Sequence, residues 1–129
     1  MKIALTTWQG RVSPVFDTAQ HLRVVEVENG VRQFEHIEEL AETPLFARVN
    51  QLVQLGADVL VCGAISRPLA AAIAASGIEL VSFVSGEAES VLQACINRQL
   101  PNPRYMMPGC YGRCVRRRGR GRGRAFRQG

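Results

Sequence analysis

The stretch Gly56-Ala57-Asp58-Val59-Leu60-Val61-Cys62-Gly63-Ala64-Ile65-Ser66-Arg67-Pro68 decides the fold class of this chain. Val59-Leu60-Val61-Cys62 is a continuous apolar run, as expected of a parallel strand buried on both faces. Gly63-Ala64-Ile65-Ser66 then turns the chain into a helix with Pro68 in its first turn, Ala-rich to Ser76 and ended by Gly77. The same unit follows again. Ile78–Val84 reads as a strand, and Ser85-Gly86 opens a last helix. In that helix Ala88, Val91, Leu92, Cys95 and Ile96 recur at i, i+3, i+4, i+7 and i+8, an amphipathic stripe that Pro101 and Pro103 stop.

Working outward toward the N-terminus, residues 2–6 form a short apolar strand, followed by a polar loop through Trp8, Gly10, Ser13 and Pro14. His21–Glu28 and Val31–Ile37 are β-branched runs joined by Asn29-Gly30, the strongest short-range hairpin signal. Thr43-Pro44 predicts a helix start, with Thr43 as N-cap and Pro44 at the first helical position. Leu45, Val49, Leu52 and Val53 should share its buried face, and Gly56 should end it. The elements therefore run βββαβαβα. They predict an α/β fold with a five-stranded mixed sheet, its first, fourth and fifth strands parallel and helices on its faces.

At 129 residues there is room for one domain. No stretch approaches the roughly 20 apolar residues of a membrane span, so no membrane partner is expected. The short apolar run before Trp8-Gln9-Gly10-Arg11 does not read as a signal peptide, which makes cytoplasm the expected location. The net charge of +5 hides a division. From Arg104 onward there are nine arginines and no acidic residue, whereas residues 1–103 hold seven basic against eleven acidic residues, a net of −4. The chain thus divides into a mildly acidic domain, 1–103, and a basic tail, 104–129. The run Arg116-Arg117-Arg118-Gly119-Arg120-Gly121-Arg122-Gly123-Arg124 has no apolar anchor and is expected to be disordered. Arginine–glycine repeats of this kind bind single-stranded nucleic acid through phosphates and stacking, so a nucleic-acid or polyanion adaptor is the rival reading of function.

In open α/β sheets ligands sit beyond the carboxyl ends of the parallel strands, where helix N-termini point their N–H groups. Three loops should meet at that edge: Thr7–Asp17, Gly63–Arg67 and Val84–Glu87. They offer Gly10, Gly63 and Gly86 for close backbone approach, Ser13, Ser66 and Ser85 as hydroxyls, and Arg11 and Arg67 as cations. That set suits an anion or a sulfur-rich cluster, although Ser66 and Ser85 read equally as helix caps and the glycines as turn formers. Cys62 ends a buried strand beside the same edge. Cys95 belongs to the core stripe of its helix. Cys110 and Cys114 are spaced too loosely for a zinc-ribbon half-site, yet as two soft donors they are candidate metal ligands. The histidines, His21 and His36, fall in the hairpin, away from the expected edge. No nucleophile–base set and no group of carboxylates at the edge is proposed by the spacing, so an enzyme is not expected.

Four segments carry a family resemblance: Met1-Lys2-Ile3-Ala4, Val12-Ser13-Pro14-Val15-Phe16-Asp17 with Ala19, Gly56 to Ile65, and Ser85-Gly86 before the last helix. In this order they resemble the dinitrogenase iron–molybdenum cofactor biosynthesis domain over about residues 1–100. That family includes cofactor carriers of nitrogenase assembly and stand-alone members such as the orange proteins, which hold a molybdenum–copper–sulfur cluster. The resemblance implies a ribonuclease H-like three-layer fold without nuclease activity, acting as a carrier or scaffold. Its ligand would be an anionic metal–sulfur cluster (Fe–S, Mo–Fe–S or Mo–Cu–S), bound non-covalently, and its protein partners a cluster donor or acceptor. On this reading Ser13 to Asp17, Cys62 to Ser66 and Ser85-Gly86 cradle the cluster, Arg11 and Arg67 balance its charge, and Phe16 walls the site or fills the core. Many members carry His where this chain has Val15, which removes one ligand expected of the first loop. The tail after Met107-Pro108-Gly109-Cys110 is similar to that of some stand-alone members.

Overall fold

The computed structural model describes residues 1–40, 44–100, 103–107 and 116–117. Ten elements follow one another: β1 (Lys2–Trp8), β2 (Arg11–Val12), β3 (His21–Glu28), β4 (Val31–Glu39), α1 (Ala47–Leu55), β5 (Val59–Val61), α2 (Arg67–Ala75), β6 (Glu79–Val81), α3 (Ala88–Ile96) and β7 (Arg116–Arg117). One mixed sheet runs β4-β3-β1-β5-β6-β7, with β2 folded back on the end of β1. β1, β5 and β6 are parallel, in the register Ile3 to Val59 to Glu79, and β3 and β4 are antiparallel additions on the far side of β1. The expected five strands, their order and their directions are all present. The Asn29-Gly30 turn has φ of 54° and 78°, both positive as a tight hairpin turn of this kind requires.

Strand alternation assigns the two faces. Ile3, Leu5, Val59, Val61 and Val81 pack against Val91, Leu92 and Cys95 of α3. Ala4, Leu22, Val24, Leu60 and Leu80 pack against Val49 and Leu52 of α1 and Leu69 and Ile73 of α2. The result is three layers, one helix on one face and two on the other. No helix among the described residues is long and apolar enough to cross a membrane.

Two details of α1 depart from expectation. The helix begins at Ala47, after a turn through Pro44 to Phe46, and Phe46 is its N-cap position. The expected cap, Thr43, lies outside the described residues. Leu45 and Val53 are exposed, while Arg48 is buried beside Val49 and Leu52. Leu45 falls in the turn before the helix, and the buried face of α1 runs through Arg48, Val49 and Leu52. Beyond Pro103 the chain keeps its contacts with the domain: Tyr105 and Met106 pack against the α3-side core, and β7 pairs antiparallel with β6. Disorder is expected of the whole tail, 104–129; residues 105–107 and 116–117 are instead held against the domain by main-chain pairing, and residues 108–115 and 118–129 lie outside the described residues.

An ion network ties the hairpin to α3. Arg23 binds Glu35 at 2.6 Å and Glu89 at 3.0 Å, and Arg32 reaches both Glu89 and Gln93. Hydrogen bonding from Arg32, with that from Arg23, holds the Glu89 carboxyl below its ordinary 4.5. A depressed carboxyl pKa stabilises the fold above the unfolded value and ceases to do so as pH falls through the folded one. Glu89 is about half exposed, so its contribution stays within about 1 kcal/mol. Glu89→Gln is therefore expected to lower the melting temperature by a few degrees at pH 7 and to match the unsubstituted chain once the pH is taken well below 4.5. A gap that persists in acid would assign the loss to packing instead.

Candidate functional site

The carboxyl ends of β1, β5 and β6 point the same way, and the loops leaving them meet, as the topology demands. They do more than meet. Phe16 N–H donates to Ala64 O at 2.7 Å and Ala64 N–H to Pro14 O at 2.8 Å. Phe83 N–H donates to Gly63 O, Val12 N–H to Gly86 O and Ala88 N–H to Gly10 O, all within 3.0 Å. The three loops are thus cross-linked by main-chain hydrogen bonds. Free N–H groups at helix N-termini are the sequence's argument for anion binding, and two of these, Ser66 at α2 and Ala88 at α3, are already taken up. The physical reason is general: an unbonded main-chain donor is costly, and adjacent loops satisfy one another.

The individual candidates separate accordingly. Gly63 has no room for a side chain, since an added Cβ would stand 2.3 Å from Pro14 O and 2.6 Å from Ser13 O. Its bareness therefore serves loop packing. Gly86 adopts φ of 130°, a conformation that suits glycine, with Tyr105 beside it. Ser13 is buried, and its N–H donates to Thr6 O at 3.0 Å. Phe16 is fully buried among Ala4, Ala19 and Leu22, so it fills the core and does not wall the site. Cys62 is fully buried on the α1–α2 face, away from solvent. Cys95 packs under α3, where burial pushes its thiol up to about 11 and keeps it protonated. Neither serine caps with its hydroxyl. Ser66 is the N-cap residue of α2 without a side-chain cap bond, and Ser85 Oγ donates to Met106 O at 3.2 Å. Cys110 and Cys114 lie outside the described residues, as does most of the tail on which the nucleic-acid reading rests.

Charge distinguishes Arg11 and Arg67. Lys2 donates to Leu55 O, Arg23 and Arg32 sit in the ion network, and Arg48 donates to Phe16 O and Ala19 O. Arg11 and Arg67 are exposed at the loop edge, and neither makes an ion pair among the described residues. The domain's positive charge that is not already engaged is thus concentrated there, apart from Arg98 at the opposite end of α3. No group of three or more His, Cys, Asp or Glu that could hold a metal ion occurs among the described residues.

Three features of the edge were not visible in the sequence reading. His21 was placed away from it, yet β3 runs antiparallel to β1 and sets His21 opposite Thr7, at the carboxyl end of β1. The signal was available: a hairpin beside β1 must begin where β1 ends. Asp17 Oδ1 accepts the Ser66 N–H at 3.0 Å, so a carboxylate of the first loop caps α2 from outside the helix. Trp8, the sole tryptophan, is 54% exposed on the β1–β2 turn next to Arg11.

Together these observations define a three-layer α/β domain whose distinctive surface is a knitted loop edge bearing two exposed arginines that form no ion pair among the described residues. The family model described as dinitrogenase iron–molybdenum cofactor matches residues 1–98, and the chain belongs to that family. Its architecture is shared with the crystal structure of PH0822, with TM-score 0.72 and 20% identity over 77% of this chain and 91% of that one. It is also shared with a dinitrogenase candidate from Methanocaldococcus jannaschii, with TM-score 0.63 and 14% identity over 80% and 97%. A NifB candidate from Thermotoga superposes with TM-score 0.60 and 19% identity over 76% and 89%. At these identities the likeness speaks for the fold. No curated protein matches the chain.

Proposed function

We propose that this domain is a cytoplasmic, non-catalytic carrier that takes an anionic metal–sulfur cluster as cargo at the loop edge. The observation that carries this reading is the pair Arg11 and Arg67, exposed and without ion pairs among the described residues, on an otherwise acidic domain of a cofactor family. Two such cations favour a multiply charged anion electrostatically, through its sulfides and without a dedicated ligand set. His21 adds an imidazole at the same edge. Cys110 and Cys114, outside the described residues, are the candidate soft donors, and Cys110 is three residues beyond Met107, whose N–H is bonded to Phe83 O. At roughly 3.5 Å per residue, chain length allows its sulfur to reach the third loop. Because the cluster is delivered onward, a donor and an acceptor protein are the partners this reading requires.

The test is uptake. Apo protein mixed under reducing conditions with tetrathiomolybdate and copper is expected to gain intense visible absorption and to lose Trp8 fluorescence. Arg11→Ala/Arg67→Ala should weaken uptake by roughly tenfold or more, about 1.4 kcal/mol, with the melting temperature unchanged. Uptake should also weaken with salt, as attraction between exposed charges does. Cys110→Ser/Cys114→Ser separates the tail's donors from the edge's charge. No uptake by the unsubstituted chain, or equal uptake by all variants, would end the proposal.

A further inference from the structure

Sequence periodicity ends at Leu100, but residues 103–107 are bonded into the site. Phe83 has φ of 62°, a left-handed conformation that is strained for an aromatic residue. It is held on both sides. Its N–H donates to Gly63 O at 2.8 Å, and its carbonyl accepts the Met107 N–H at 3.1 Å. One residue on, Val84 pairs with Met106 in an isolated bridge. Ser85 N–H donates to Tyr105 O at 2.7 Å, and Ser85 Oγ donates to Met106 O. The Tyr105 ring lies 3.3 Å from where a Cβ of Gly86 would be. Gly86 O in turn accepts the Val12 N–H, and Arg11 bridges to Glu87. A continuous chain of bonds therefore runs from Met107 through the third loop to the strand that carries Arg11.

We infer that Tyr105–Met107 is a positioning strap that presets the third loop and, through Gly86 and Val12, the place of Arg11. Its consequence for cargo rests on the carrier reading; its effect on the loop does not. Strained backbone persists only where surrounding bonds over-determine it, and here the strap supplies one of the two bonds on Phe83 and two more on Ser85. Residues 105–107 are thereby fastened to the third loop by hydrogen bonds.

The experiment uses the full chain and two readouts. Met107→Pro deletes the N–H that binds Phe83 O, Tyr105→Ala removes the ring beside Gly86, and Tyr105→Phe restores that ring. Amide exchange at Ser85 and Val12 should quicken tenfold or more in Met107→Pro and Tyr105→Ala, with Leu5 and Leu60 unchanged. Tyr105→Phe should behave as the unsubstituted chain. Tetrathiomolybdate–copper uptake should weaken several-fold in the same two variants and recover in Tyr105→Phe. Unchanged exchange at Ser85 and Val12 would overturn the strap. Quickened exchange with unchanged uptake would overturn its link to cargo. Quickened exchange with no uptake by any chain, the unsubstituted one included, would support the strap and overturn the carrier reading.

Discussion

Replacing Gly63 by Ala is expected to lower the melting temperature by more than about 10 °C. The argument is one of space. The added Cβ would lie 2.3 Å from Pro14 O, 2.6 Å from Ser13 O and 2.7 Å from Pro14 C, all of them main-chain atoms. Those atoms have little freedom to move away. Ala64 N–H holds Pro14 O at 2.8 Å, Phe16 N–H holds Ala64 O, and Ser13 N–H holds Thr6 O. Relief of more than 1 Å would break at least one of these bonds, so the cost is roughly 3 kcal/mol or more. At about 4–8 °C per kcal/mol for a domain of this size, the shift is large. Gly30 is the control, because it has open space around it and only its φ of 78° against a side chain; Gly30→Ala should cost about 1 kcal/mol. Circular dichroism of the two variants is sufficient. A Gly63→Ala melt within about 2 °C of the unsubstituted chain would show that the loops are far softer than their bonding implies. The corollary concerns function: lost cargo uptake in a Gly63 variant would report a damaged loop, not a blocked site.

Gly63 also shows what the sequence could and could not tell. The fold was legible because its signals are local and redundant. Val59-Leu60-Val61-Cys62 is apolar throughout because both faces of β5 are covered, and the Asn29-Gly30 turn has a single economical conformation. Parallel pairing of β1, β5 and β6 then follows from the helices between them. Which loops would meet was legible for the same reason. How they meet was not. Whether Gly63 faces a ligand or the Pro14 carbonyl depends on where a loop 50 residues earlier passes, and no periodicity encodes that. Phe16 and Cys62 were taken toward the site by adjacency in sequence, whereas strand alternation turns Cys62 into the α1–α2 core and the Phe16–Thr18 turn buries the ring. His21 was misplaced by treating the hairpin as a unit, when its antiparallel sense carries one end to the edge. The strap was missed because residues 103–107 contain a proline, an arginine and no repeat, and are held by main-chain bonds that any sequence can make.

Arg48→Met is expected to destabilise the fold about as much as the Gly63 change, and it separates two uses of the same residue type. Arg48 is 3% exposed on α1. Its Nη1 donates to Phe16 O at 2.9 Å and to Ala19 O at 2.5 Å, and its guanidinium stands 5.9 Å from the Phe16 ring centroid. The Phe16–Thr18 turn is thus fastened to α1 by one cation. Methionine keeps most of the stem and its packing but leaves both carbonyls without that donor. Hydrogen bonds to charged groups contribute about 1.5–3 kcal/mol each, although Phe16 O keeps the Ala19 N–H at 3.2 Å. Removing a desolvated charge gives some of this back, so the net is about 3 kcal/mol. Loosening should spread along the loop, since Asp17 in that turn caps α2 through Ser66 N–H. Amide exchange at Ser66 is therefore expected to quicken with the fall in melting temperature. Exposed and without an ion pair among the described residues, Arg11 and Arg67 should behave in the opposite way, with substitution to Ala shifting stability by less than about 0.5 kcal/mol while weakening cargo uptake. Measured together, the three arginines give a crossed result: Arg48→Met melts early yet takes up cargo at low temperature, and Arg11→Ala/Arg67→Ala melts normally yet takes up cargo more weakly. An Arg48→Met chain that melts with the unsubstituted protein and protects Ser66 equally well would show that the turn is held by packing of Phe16 alone.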